Sequence, residues 1–393
     1  MTSRERMLAA LSGQQPDRVP MSFMIFTALR GRTAGWRDFI EASIELGLDA
    51  TVDLVEIAPE APADVEDARS VPVHFAPGVQ VREWRDPGAG DSRYAVLHKE
   101  YVTPAGTLKV AVRQTDDWPY GDHVPLLDDY IEPRANEFPV KTEQDLEALG
   151  YLLADPDERT VERCRAAWAE PKRLAAERGL LLVGGRGVGF DSAAWLVGLT
   201  RAVLAMRDRP EFLAGYLGAI ERWNRRRMAL VLDEGVDLFV RRGWYEGTDF
   251  WSPALYRRFL LPPLKREAEL VHQAGAKFGY IMTVGSLQLV DLILEAGVDV
   301  LIGIDDVQDR GMDFAAMKAA CRGRMGLWGG VNGFVTVEQG RDDDVRAATR
   351  RAIETLGPDG FVLSPVDNVR DGSAETWRKT LLLIDTYRQL TGA

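Results

Sequence analysis

Apolar positions along this chain follow two alternating periods. Residues 276–306 show both within one short stretch. AKFGYIMTV and VDVLIGIDD are apolar runs of strand length, and between them GSLQLVDLILEAG carries Leu287, Val290 and Leu294 at helical spacing before Gly297 ends it. Strand, helix and strand with almost no spare residues predict a parallel crossover, because a tight hairpin cannot join parallel strands. The two strands end in polar groups, Tyr280 to Thr283 and Asp305–Asp306. In parallel α/β proteins ligands bind at such ends.

The same rhythm runs through most of the sequence. After a charged amphipathic helix over 3–12, strands are expected at 19–26, 50–57, 180–186, 236–242, 276–282, 298–304, 324–330 and 360–364, with helices between them. Eight such units favour a closed (β/α)8 barrel over an open sheet, and no GxGxxG follows the first strand. From about 58 to 137 the rhythm breaks into proline-rich and alternating segments. YAVLHKEYV and TLKVAVRQT, joined by Pro104–Gly106, form a β-hairpin pattern. This stretch reads as a β-rich insertion after the second strand of one barrel domain spanning 1–393. Thr142 to Asp145 then cap a helix and the rhythm resumes.

The net charge of −12, from 60 acidic and 48 basic residues, argues against nucleic-acid or anionic-membrane partners, which require a basic face. Cys164 and Cys321 are far apart, so neither a disulfide framework nor a cysteine metal spacing is expected. Neither a signal peptide nor a membrane-length apolar run is apparent, so a soluble, cytoplasmic protein is expected.

A barrel assembles its site from the C-terminal ends of its strands. Those ends supply Phe26 and Thr27, Glu56, Arg186, Arg241 and Arg242, Trp244, Glu246, Tyr280 and Met282, Asp305 and Asp306, Asn332, and Ser364, Asp367 and Asn368. Arginine suits a bidentate clamp on carboxylate or phosphate. A carboxyl group among apolar walls can hold a proton near neutrality. The amide of Asn332, just after Gly329 and Gly330, can approach a ligand closely or polarise an oxygen. Each has a plainer reading: Arg241, Arg242 and Glu246 as a rim ion-pair network, Asp305 or Asp306 as a loop cap, Glu56 as a polar loop start, and Tyr280 as filler. Arg225–Arg226–Arg227 lies mid-helix and reads as a solvated face, and His74, His98, His123 and His272 are scattered.

The sequence resembles the uroporphyrinogen decarboxylase superfamily, which includes corrinoid-linked methyltransferases. The resemblance rests on ERMLAALSGQQPDRVPMSF, FPVKTEQDLEAL, GVDLFV, WSPALYRRFLLPPLK, GGVNGF and ETLGPDGFVLSP, which fall in the family's order. It implies a (β/α)8 barrel with an open mouth and an assembly that is often a homodimer. The decarboxylase's arginine-rich segment after the first strand falls here on MIFTAL, with Ile25 and Leu29 at the arginine positions and Arg30 and Arg32 out of register. The zinc ligands of the thiol-activating methyltransferases fall on Tyr280, Met282 and about Asp367, a set ill-suited to zinc. No metal and no tightly bound cofactor are therefore expected.

The reading that remains is a methyltransferase of the demethylase type, acting on a small methylated donor and passing the methyl group to a corrinoid on a partner protein. Phe26, Trp244 and Tyr280 would grip the donor, with Glu56 and Asn332 also at the substrate. Arg241 or Arg186 would hold a carboxylate on it. Glu246 or Asp305 would protonate the leaving atom, with Asp367 as a further catalytic candidate. The alternative is a decarboxylase or other lyase acting without a cofactor on a carboxylated substrate.

Overall fold

The computed structural model describes residues 1–57, 74–87 and 93–393, except for the side chains of Glu56, Ile57 and Arg186. Residues 58–73 and 88–92 of the expected insertion lie outside the described residues. Among the described residues the strands are β1 (Thr51–Asp53), β2 (Gln80–Asp86), β3 (Val96–Thr103), β4 (Gly106–Arg113), β5 (Ala135–Glu137), β6 (Leu181–Gly187), β7 (Leu238–Arg242), β8 (Lys277–Ile281), β9 (Val300–Ile304), β10 (Gly326–Asn332) and β11 (Phe361–Val366). Contacts divide the chain into two units. One takes 1–57, 168–185 and 231–393; the other takes the described residues between 58 and 167 together with 186–230.

In the first unit, the parallel sheet runs in the order β1-β6-β7-β8-β9-β10-β11, the order of a (β/α)8 barrel. The eighth stave is much shorter than the run of apolar residues at 19–26 suggests: Met21 makes a single parallel bridge to Leu363. Ser22 N–H bonds Leu363 O at 3.0 Å, Leu363 N–H bonds Pro20 O at 2.9 Å, and on the other side Asp49 N–H bonds Met21 O at 2.7 Å. The reason is local. Pro20 has no N–H to offer a ladder. Beyond it, side chains replace backbone partners, since the Trp328 indole donates to Ser22 O at 2.9 Å and Met24 N–H donates to Ser364 Oγ at 2.9 Å. The second expected strand is also cut short. Asp53 accepts Val55 N–H at 3.0 Å and turns Leu54–Ile57 into a helical turn.

Side chains from alternate strand positions fill the barrel. Leu181, Val183, Leu238, Val240, Ile281, Val300, Ile302, Trp328 and Val362 form one interior cluster, joined by Met7, Ala10 and Leu11 of the N-terminal helix Ser3–Leu11. That helix lies against the starting ends of the strands: a Cβ on Gly326, the first residue of β10, would sit 2.9 Å from Ala10 O. Arg6 fastens the seam beside it. Its Nη1 donates to the buried Asp49 at 2.5 Å, and its Nε and Nη2 grip Asp17 at 2.6 and 3.0 Å.

The second unit contains the antiparallel sheet β2-β3-β4-β5. The expected hairpin is present as β3 and β4, with Thr103 Oγ1 bonding Gly106 O at 2.8 Å across the turn. Lys99 shares the buried face of β3 with Leu97 and Tyr101, and its ammonium donates to Val124 O at 2.8 Å. The arginine run is not a uniformly solvated face. Arg225 and Arg226 are exposed, but Arg227 falls on the buried stripe with Trp223, Asn224 and Met228, its guanidinium 3.9 Å from the centre of the Trp223 ring. A helical period of 3.6 separates adjacent residues by about 100°, which is why a run of three cannot share one environment.

Arg6→Met leaves the buried Asp49 with only the longer ionic contact to Arg18, at 3.8 Å, and is expected to cost about 3–5 kcal/mol, measured by urea unfolding. The hydrogen bond from Arg6 holds Asp17 well below the usual carboxylate range. This pair's stabilisation is therefore complete above the unfolded carboxyl value of about 3.9 and is lost as pH falls below it. Between about pH 4 and pH 2 the parent should lose stability faster than Asp17→Asn.

Candidate active site

Side chains leave a strand alternately to its two faces. On β7, Leu238 and Val240 belong to the interior cluster. Arg242 continues their row to the C-terminal end of the barrel, while Phe239 and Arg241 face the surrounding helices. Arg241 is buried there. Its Nε donates to Glu267 at 2.9 Å, and its Nη1 donates to Glu246 at 2.7 Å and to the carbonyl of Arg242 at 2.7 Å. On β8, Ile281 joins the interior and Tyr280 turns to the helix side. The Tyr280 hydroxyl donates to Glu246 at 2.5 Å and accepts from the Tyr256 hydroxyl at 3.3 Å.

Five buried polar side chains thus make one network between the sheet and the helices Pro253–Phe259 and Leu261–Gln273. Burial and the adjacent Glu246 charge push the Tyr280 phenol well above its ordinary value, and burial raises Tyr256 too. Burial alone would lower Arg241, but Glu246 and Glu267 outweigh it and raise the guanidinium further. Both phenols stay neutral and Arg241 stays charged. Glu267 and Tyr256 are absent from the candidates read from the sequence. Glu267 did leave a signal, as an acid within the apolar stripe Leu264, Ala268 and Val271 of its helix.

The network also fixes the loop after β7. Glu246 N–H closes a turn on Gly243 O at 3.0 Å. A Cβ on Gly247 would sit 1.9 Å from Val284 O, and one on Gly285, at φ +71°, would sit 2.4 Å from Thr248 N. The loops after β7 and β8 therefore touch backbone to backbone, and Trp244 rests on the upper side of the interior cluster. The Arg242 guanidinium lies over the Trp244 ring, 5.4 Å from its centre.

Asp305 and Asn332 form a second group at the ends of β9 and β10. Asn332 Nδ2 donates to Asp305 Oδ2 at 2.5 Å, and the other oxygen accepts Val307 N–H at 2.7 Å. The Asn332 carbonyl accepts Val335 N–H at 2.5 Å, so this amide is held at both ends. Burial raises the Asp305 carboxyl, the amide of Asn332 and the backbone N–H groups oppose that rise, and the charge of Asp306 adds to it. Asp306 itself points away, making a two-pronged pair with Arg351 at 2.9 and 3.0 Å.

The remaining candidates are dispersed. Phe26 is buried against Phe23 and Trp377, with ring centres 4.2 and 6.1 Å away. Asp367 adopts a left-handed backbone at φ 66° and pairs with Arg370 at 3.2 Å. Asn368 ties the loop after β11 to Thr27, accepting its N–H at 3.1 Å and donating to its Oγ1 at 2.9 Å. Glu56 lies in the turn Leu54–Ile57 and Arg186 in β6; their side chains are outside the described residues. Among the histidines, His272 pairs with Asp299 at 2.7 Å, His123 with Glu83, and His98 stacks on Trp84.

Among the described residues, no three His, Cys, Asp or Glu side chains converge to hold a metal ion. The zinc positions implied by the sequence resemblance carry the phenol of Tyr280, committed to Glu246, and the buried thioether of Met282, which do not fit that metal. Nor is any helix among the described residues long and apolar enough to cross a membrane.

A parallel barrel carrying carboxyl, amide, arginine and aromatic groups at the C-terminal ends of its strands has the architecture of a barrel enzyme. The family model for uroporphyrinogen decarboxylase (URO-D) matches residues 123–367, and the chain belongs to that family. Among solved structures it is similar to a methyltransferase from Methanosarcina mazei, at 15% identity and a TM-score of 0.59 over 99% of both chains. A weaker likeness is to a B12-independent methionine synthase from Shewanella sp., at 8% identity and a TM-score of 0.37 over 56% of this chain and 64% of that one. No curated protein matches in sequence.

Arg241→Met removes the cation shared by two buried glutamates and is expected to cost about 3–5 kcal/mol, whereas Tyr280→Phe removes one hydrogen bond and should cost about 1–3 kcal/mol. Urea unfolding checks both. Equal losses for the two variants would show that the arginine does not hold the network together.

Proposed function

We propose that this URO-D family barrel is a corrinoid-linked methyltransferase, taking a methyl group from a small oxygen- or nitrogen-linked donor. The observation that carries the reading is Asp305, a buried carboxyl raised by desolvation and held by an amide that is itself fixed. Cleaving a methyl–heteroatom bond leaves the electron pair on oxygen or nitrogen, which then needs a proton. A raised carboxyl at a strand end suits that task, and Asn332 orients it. A reduced corrinoid on a partner protein would supply the electron pair for the new bond to carbon. Trp244 offers apolar surface for the donor, and the network around Glu246 and Tyr280 holds the loop that carries it. The whole-chain likeness to a protein described as a methyltransferase supports the same reading.

A second observation weighs against decarboxylation of a polycarboxylate. The arginines nearest the decarboxylase positions are engaged elsewhere, Arg32 with Gly372 O at 2.9 Å and over the Trp377 ring, Arg30 over Phe39. Leu29 stands at one of those positions and is buried.

The test is turnover of free cob(I)alamin with methoxylated and methylated-amine donors, followed by the visible spectrum of methylcobalamin. Asp305→Asn is expected to lower the rate by about a hundredfold or more while melting within a few degrees of the parent. Because the acid must be protonated, activity should fall as pH rises through its raised value, and not as pH falls. Carbon dioxide release from carboxylated substrates without any corrinoid methylation would replace this reading with the decarboxylase one.

A further inference from the structure

We infer that β2 is a self-association edge, through which two copies of this chain pair antiparallel about a two-fold axis at Trp84. This surface is independent of the methyl-transfer chemistry. All seven residues of β2 are exposed, and among the described residues the strand has a neighbour, β3, on one edge only. Val81 and Trp84 are 42% and 45% exposed, and the Trp84 ring stacks on His98 at 4.9 Å and 5°. An open strand edge carrying exposed apolar side chains is a template for a further strand.

Hydrogen-bond parity fixes which backbone groups that edge offers. Gln114 N–H bonds Ala95 O at 2.9 Å, so this pair, next to Val96–Arg113, belongs to the bonded set of the β3–β4 ladder. Alternation then turns Val96, His98, Glu100 and Val102 toward β2, where they meet Asp86, Trp84, Arg82 and Gln80. The N–H and C=O groups of Val81, Glu83 and Arg85 are left facing the open edge. In a two-fold pair these odd-numbered residues must oppose odd-numbered ones, so the axis passes through a residue.

Side-chain signs choose which residue. With the axis at Trp84, Arg82 lies opposite Asp86 of the second copy, on the face where the two Trp84 rings meet. On the other face Glu83 lies opposite Arg85, where each already has a partner in its own chain, Val124 N–H and Gln114. An axis at Arg82, Glu83 or Arg85 instead sets like charges face to face. At the Trp84 axis the two rings occupy a non-bonded pair, the closer spacing, with Cα atoms about 4.5 Å apart. The segment Arg82–Asp86 is thus its own complement in sign, and its partner is a second copy of this chain.

The experiment is sedimentation velocity of the full chain over a concentration series. The parent should show a monomer–dimer equilibrium. Arg82→Glu and Asp86→Arg should each weaken it about tenfold or more, because each sets two like-charged pairs across the axis. Mixed in equal amounts, the two variants should associate as tightly as the parent, since every pair in the mixed dimer is again of opposite sign. Trp84→Cys, oxidised with diamide, should run as a disulfide-linked dimer without reductant. Val81→Cys should not, since Val81 lies opposite residue 87 of the second copy and far from its own counterpart; the native Cys164 and Cys321 are buried. The two cysteine variants keep the test decisive if a charge reversal does not fold. A parent that stays monomeric, single reversals that leave its dimer intact, a mixture that fails to associate, or equal cross-linking through both cysteine positions overturns the interface.

Discussion

The alternation of side chains along β7 is the constraint on which the candidate site depends. Arg241 and Arg242 are neighbours in sequence, yet the pleat sends them to opposite faces of one sheet. The outward guanidinium is neutralised by Glu246 and Glu267 and becomes part of the wall. The inward one lies over the Trp244 ring. A slip of one residue in the register of β7 would exchange these environments and break the Arg241 bonds to Glu246 and Glu267. The network around Glu246 is therefore a register lock as much as a source of stability. A buried polar cluster of this kind is satisfied in one arrangement and costly in any other.

That lock joins the sheet to its loops. Glu246 lies beyond the end of β7, so the carboxylate that pairs with Arg241 also draws the following turn back onto the helix layer. The Gly247–Val284 and Gly285–Thr248 contacts then tie this turn to its neighbour. Trp244, between the anchored arginine and the anchored glutamate, has little freedom left. Asn332 does similar work at the end of β10, where one amide caps the following turn and fixes Asp305. Both candidate groups stand at or just beyond the ends of sheet strands and are braced by side-chain hydrogen bonds.

Much of this was legible in the sequence, and the failures have physical causes. The hydrophobic periods show the parallel units, and the alternating run with Pro104–Gly106 shows the hairpin, because burial of one face dictates both patterns. Strand ends point to Asp305, Asn332 and Trp244. Direction at a strand end is harder to read: with Arg241 and Arg242 adjacent, either parity is open until Leu238 and Val240 are known to face inward. Tyr280 is misjudged for the same reason as a residue facing the mouth. The run 19–26 has the apolar content of a strand, but Pro20 and the side-chain bonds from Ser364 and Trp328 leave it one bridge long. Such long-range substitutions of side chain for backbone leave no local signal.

The seam at that bridge bears on the behaviour of the whole ring. Seven staves are held in parallel ladders, whose spacing is set by backbone geometry and cannot vary by much. At the eighth, one bridge, a backbone bond from Asp49 to Met21 and three side-chain bonds span the gap between β11 and β1. Side-chain bonds can lengthen, swivel or exchange partners where a ladder would have to break. The barrel is thus a hoop with a single elastic joint. That joint adjoins the segment carrying Met24 and Phe26, so the side of the mouth with the least rigid frame is also the side able to accommodate differences in the size of what enters.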